Sequence, residues 1–119
     1  MTNEKVYSMH FSKLYPCLLA KVEKKGRTRA ELDQVICWFT GYSSEMLDQL
    51  VQSSVSYGEF FRAAPCLNPC RELITGVVCG VRVEDVGEPI MREIRRLDKL
   101  VDELARGKSM EKILRRPAD

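Results

Sequence analysis

Five cysteines and a single histidine are the side chains of this 119-residue chain best suited to metal or nucleophilic chemistry. Cys66 and Cys70 stand four apart. A metal knuckle needs tighter pairs, repeated and joined by further Cys or His at matching distance, and His10 is the one imidazole available. No metal and no cofactor are therefore expected. Cys70, beside Arg71 and close to a helix start, sits where a thiolate would be favoured, but a thiol–imidazole dyad would have to recruit His10 from the N-terminal segment. Catalysis by cysteine is accordingly not expected, and no catalytic residue is assigned.

A ligand pocket is the alternative reading of four other residues. Trp38 and Tyr42 flank Gly41 at the end of a helix, where large aromatics either line a pocket or plug the core. Asn68 stands just before Pro69. Arg82 interrupts a valine run and would need an anion if buried. Gly76 and Gly80 form a G-x-x-x-G inside an apolar stretch too short to span a bilayer, so they read as a site of close helix packing rather than a phosphate loop. Basic residues cluster twice, at Lys21, Lys24, Lys25, Arg27 and Arg29 and again at Arg106, Lys108, Lys112, Arg115 and Arg116. Glu23, Glu31, Asp102, Glu103 and Glu111 interleave with them. With nineteen basic against seventeen acidic residues, a net charge of +2 does not call for nucleic acid, and only weak binding through those clusters is expected.

The elements that must position these residues are helical. From residue 89 to 105, Ile90, Ile94, Leu97, Val101 and Leu104 recur at steps of four and three, the signature of one long amphipathic helix. Arg92, Arg95, Arg96 and Lys99 fall on its other side. An earlier helix over residues 12–25 is set by Leu14, Tyr15, Leu18 and Val22, with Pro16 tolerable only in its first turn. Thr28 and Glu31 form a capping box for a helix carrying Leu32, Val35, Ile36 and Phe39 to Gly41. Ser43 opens a short helix with Met46, Leu47, Leu50 and Val51, and Ser56 with Glu59 opens another that ends before Pro65. Asn68 and Pro69 signal a helix start, which places residues 69–84 in a helix, although the run Val81-Arg82-Val83 alternates as a strand would. No separate second strand is evident to pair with it. Gly107 ends the long helix, and Ser109 caps a last short one through Leu114.

The predicted fold is all-α: a compact bundle of six or seven mostly short helices in one domain, 1–119, with the long amphipathic helix near the C-terminus. The N-terminus shows no signal-peptide pattern and no apolar run reaches spanning length. With an odd number of cysteines, these features point to a reducing cytoplasm, no membrane, and free thiols used as small core residues.

Several blocks taken together resemble one family. Gly26-Arg27-Thr28, Val35-Ile36-Cys37-Trp38 with Thr40-Gly41-Tyr42, Ala64-Pro65 with Leu67-Asn68-Pro69, Leu73-Ile74-Thr75-Gly76-Val77 with Cys79-Gly80-Val81-Arg82-Val83-Glu84, and Leu97-Asp98-Lys99-Leu100-Val101-Asp102-Glu103-Leu104 are similar to the bacterial family called domain of unknown function 2200. The resemblance runs from about Val6 to Arg116. It implies a small cytoplasmic bacterial protein with a mostly helical bundle, and it carries over no catalytic residues. Function is left between three readings. The first is a non-enzymatic protein acting through protein–protein contact or self-association across the 89–105 helix. The second is a small enzyme or ligand binder around Trp38, Tyr42, Asn68 and Arg82. The third is a weak nucleic-acid binder through the terminal basic clusters.

Overall fold

The longest helix, α6 (Pro89–Ala105), starts where Pro89 loses no backbone bond, and it buries Met91, Ile94, Leu97, Leu100, Val101 and Leu104. The computed structural model describes residues 3–116. Around α6 lie α1 (Asn3–Ser8), α2 (Phe11–Glu23), α3 (Arg29–Thr40), α4 (Ser44–Val51), α5 (Tyr57–Arg62) and α7 (Met110–Ile113). Helices α2, α3, α5 and α7 all pack on α6. The expected bundle of mostly short helices is therefore the observed all-α architecture, and no helix among the described residues is long and apolar enough to cross a membrane.

Predicted caps account for most of the boundaries. The Thr28 side chain accepts from the Glu31 amide while the Glu31 carboxylate accepts from the Thr28 amide, so the capping box is complete. Ser43 and Ser56 each accept from the amide three residues on. Helix α2 runs Phe11–Glu23, so Pro16 lies past the first turn, contrary to expectation. A proline there removes the donor that the Ser12 carbonyl would otherwise meet. Burial of Phe11, Tyr15 and Val22 on either side of the break holds the helix in place.

An aromatic cluster joins the short helices. Phe11 stacks on Phe60 with ring centroids 4.0 Å apart, and Tyr42, Tyr57 and Phe61 close around Phe60. The junction of α1 and α2 is tied to the loop before α5 by two backbone bonds, Phe11 N to Val55 O at 2.9 Å and Tyr57 N to Met9 O at 2.7 Å.

Residues 69–84 are not a helix. Asn68 does cap a start, accepting from the Cys70 amide, but only a 3-10 segment, Pro69–Leu73, follows. The chain then forms an antiparallel hairpin of β1 (Val77–Val78) and β2 (Val81–Arg82), with Val77 opposite Arg82 and Val78 opposite Val81, before a second 3-10 turn at Val83–Asp85. Cys79 (φ 51°) and Gly80 (φ 78°) form its two-residue turn. Positive φ at both positions matches the twist of the flanking strands. Both partners of the hairpin lie inside the one valine run, so no outside strand was needed.

The apolar stripe of α6 is internal: Leu97, Leu100 and Leu104 are fully buried by the rest of the chain. A self-association seam on that side of residues 89–105 is therefore occupied by the chain's own helices. The cysteines also depart from expectation, since none is a core residue. Cys17, Cys66 and Cys79 are exposed, and Cys37 and Cys70 are half-buried.

Candidate functional site

Three of the four expected pocket residues belong to the closure of one helix end. The last carbonyls of α3 have no partner within the helix. Here the segment before Pro69 supplies donors in order. Asn68 Nδ2 donates to Trp38 O at 3.3 Å, Asn68 N to Phe39 O at 3.0 Å, and Cys66 N to Thr40 O at 3.1 Å. Gly41, at φ +81°, lets the two segments touch; a Cβ there would lie 2.8 Å from the Cys66 backbone. Tyr42 is buried, and its hydroxyl donates to Phe60 O at 2.8 Å. Trp38 and Asn68 thus meet, and Tyr42 follows them around the same turn. Arg82 does not join them. It stands on β2 with its side chain 61% exposed, 3.8 Å from the Asp85 carboxylate.

A polar cluster that the sequence did not reveal lies beside Asn68. Glu93 is buried on the first turns of α6, and its carboxylate holds two guanidinium groups. Arg71 Nε donates to Oε2 at 2.5 Å and Arg96 Nη1 to Oε1 at 2.7 Å. Arg71 Nη1 also donates to Asn68 O at 2.9 Å, fixing the 3-10 segment to α6. Arg92 Nε donates to Val86 O at 2.7 Å. These residues, with Leu67, Glu72 and Ile90, line a cavity of about 260 Å³. The available signal was Glu93 itself, three residues after Ile90 and four before Leu97, a carboxylate on the edge of an apolar stripe. A charge there requires a partner, and the arginines are that partner.

The basic clusters come together at the other end of α6. Lys21, Lys24, Lys25, Ala105 and Arg106 line a cleft of about 670 Å³ with Asp102. Asp102 is shared by Lys21 at 3.6 Å and Arg106 at 2.9 Å. Arg27 reaches Lys108 O at 2.9 Å and pairs with Glu31 at 2.8 Å. Glu103, buried like Glu93, is held in a two-pronged bond by Arg115, at 2.5 and 2.8 Å. Glu31, Asp102 and Glu103 are thus paired in place, whereas Lys24, Lys25, Lys112 and Arg116 of the two clusters have no ion pair among the described residues.

The half-buried Cys37 thiol is poorly disposed to react. Burial, then the carboxylates of Asp33 and Asp48, push the Cys37 thiol above its ordinary range. His10 lies in an isolated backbone bridge with Ser56, whereas Cys70 lies in the 3-10 segment on the Asn68 cap. Among the described residues, no group of three His, Cys, Asp or Glu is placed to hold a metal ion.

An all-α chain whose buried glutamates, Glu93 and Glu103, are each held by arginine is the class the fold defines. The chain belongs to the bacterial family of conserved uncharacterized proteins known as domain of unknown function 2200, whose model matches residues 5–115. It is similar to a solved structure, the crystal structure of uncharacterized protein SP1917, at 47% identity and a TM-score of 0.90, over 95% of this chain and 93% of that one. No curated protein matches it.

Proposed function

We propose that the chain is a non-enzymatic association module and that it pairs with a second copy of itself. The observation that carries this reading is where the exposed apolar side chains gather. Of the five large hydrophobic residues exposed among the described residues, Leu73 (49%), Val77 (56%) and Val81 (37%) fall within nine residues of the hairpin and the turn before it, Val77 sharing one hairpin face with Arg82 and Val81 the other with Val78. Isolated exposed leucines or valines are ordinary on any surface; a local concentration on a short ordered element is a docking feature. Its rim carries both signs, Arg82 and Lys99 beside Asp85 and Glu72. A surface with both signs can satisfy its own copy when two are related by a twofold axis, the commonest symmetry of soluble oligomers.

The surface is thus the hairpin, not the apolar side of α6 expected from the sequence. Light scattering on a sizing column at two widely separated concentrations tests it. The mass should climb from 13.6 kDa toward twice that value as concentration rises. Leu73→Glu with Val77→Glu, both at exposed positions, should hold it at the lower value. A wild-type mass that stays monomeric at every concentration overturns the reading.

A further inference from the structure

The cavity at the start of α6 has the composition of an oxyanion site. Three guanidinium groups, Arg71, Arg92 and Arg96, face it from two elements against the carboxylates of Glu93 and Glu72, of which Glu72 is exposed. Glu93 accepts one N–H from each of Arg71 and Arg96. That fixes the two forks and leaves most of their donors unused, because a guanidinium carries five N–H groups. Among the described residues, Arg92 makes one hydrogen bond, from Nε, so both of its Nη groups remain available. Arg96 Nε is buried with no hydrogen-bond partner among the described residues. A buried charged donor without an acceptor is costly, and a bound oxygen is one way to relieve it.

Pro89 and Ile90, in the first turn of α6, also line the cavity, and Glu88 at the N-cap makes no side-chain capping bond.

We propose that this cavity binds a phosphoryl dianion, either as free phosphate or as the phosphate of a small ester. Planar forks held from several directions suit a tetrahedral group with several oxygens better than a single planar carboxylate, for which one fork suffices. The volume of about 260 Å³ lies below the range of drug-sized pockets, so the group carries at most a short substituent. Glu93 is then a positioning residue that orients two arginines and does not itself touch the ligand.

Nuclear magnetic resonance titration of the full chain provides the test. The probes are inorganic phosphate, glycerol 3-phosphate and succinate, followed at the Arg96 Nε–H and Ile90 amide signals. Saturable shifts of both signals with either phosphate compound, and none with succinate, are expected. Tighter binding of glycerol 3-phosphate identifies the ester as ligand; tighter binding of inorganic phosphate identifies the free anion. Arg92→Gln leaves the Glu93 pairs intact and should weaken binding about tenfold or more. Lys25→Gln, in the basic cleft at the other end of α6, should leave it unchanged. Shifts equal with succinate, an equal loss from Lys25→Gln, no loss in a folded Arg92→Gln protein, or no saturation with either phosphate compound would each overturn the proposal.

Discussion

Arg96 and Leu97 are adjacent in the chain, and both prove to be interior residues of different kinds. Leu97 lies fully buried in mid-stripe, so Leu97→Ala should cost about 2–5 kcal/mol, the transfer loss plus a cavity. The position of Arg96 opposite the stripe predicts a solvated side chain with a negligible effect. Instead its side chain is 13% exposed and bound to Glu93, so Arg96→Ala leaves a buried carboxylate on Arg71 alone. A loss of about 1–3 kcal/mol is expected. Urea melts of the two variants check both values. Asp98 behaves in the opposite sense. Burial raises its carboxyl above the ordinary value of 3.8, against the pull of Arg95 and Lys21. A group whose folded pKa is raised contributes most below its unfolded pKa, and that contribution fades as pH climbs through the folded one. Asp98→Asn should therefore raise Tm at pH 7, with the advantage shrinking to nothing as pH falls below about 3.8. Periodicity marks which residues face inward; it does not tell which inward charge finds a partner, because that partner, Arg71, is supplied from 22 residues away.

Helix ends were the most legible elements, because a cap is a local bargain between a side chain and amides two or three residues on. Thr28, Ser43, Ser56 and Asn68 all take their expected places. The stretch from Ile74 to Val83 is ambiguous in sequence because helical spacing and two-residue strands share the same valines. Ile74 and Val78 are buried as a helix would have them, yet Val77, on that same helical face, is 56% exposed. The local signal that decides it is Cys79-Gly80 between two valines, the place where Asn-Gly would announce a hairpin. The Cβ of cysteine disfavours φ 51° with nothing to offset it, whereas the short polar side chain of asparagine can bond locally and tolerates that backbone. Cys79→Asn should accordingly stabilise the protein by a few tenths to about 1 kcal/mol, read as a shift in the urea midpoint. Trp38, Tyr42 and Asn68 do come together at one helix end, where Asn68 donates to the Trp38 carbonyl and the Tyr42 hydroxyl to Phe60 O.

Across the whole molecule, charge gathers at the two ends of α6. Arginine and glutamate interlock at both ends of α6, Arg71 and Arg96 on Glu93 and Arg115 on Glu103, and three lysines line the cleft at its close. The lysine cleft joins basic clusters that lie some eighty residues apart in the chain, as the bond from Arg27 to Lys108 shows. Among the described residues, Lys24 and Lys25 are the cations of that cleft without an acidic partner, so little counterion release is available there to drive binding of a polyanion. Duplex DNA should bind with a Kd no tighter than about 10⁻⁴–10⁻⁶ M at physiological salt. A fluorescence-anisotropy titration at two salt concentrations checks this, and tight, salt-resistant, sequence-selective binding would be incompatible with it. The sequence permitted the composition argument, but only the fold brings the two clusters side by side.

The buried Glu93 also bears on how the family can change with time. Replace Glu93 first, and two guanidinium groups face each other without their anion. Replace an arginine first, and a buried acid loses half its support. Each single step carries a penalty that the paired step avoids, since swapping a whole buried ion cluster for apolar residues is often neutral. Positions 71, 93 and 96 should therefore be replaced together among homologues, as a correlated block that turns over rarely and all at once.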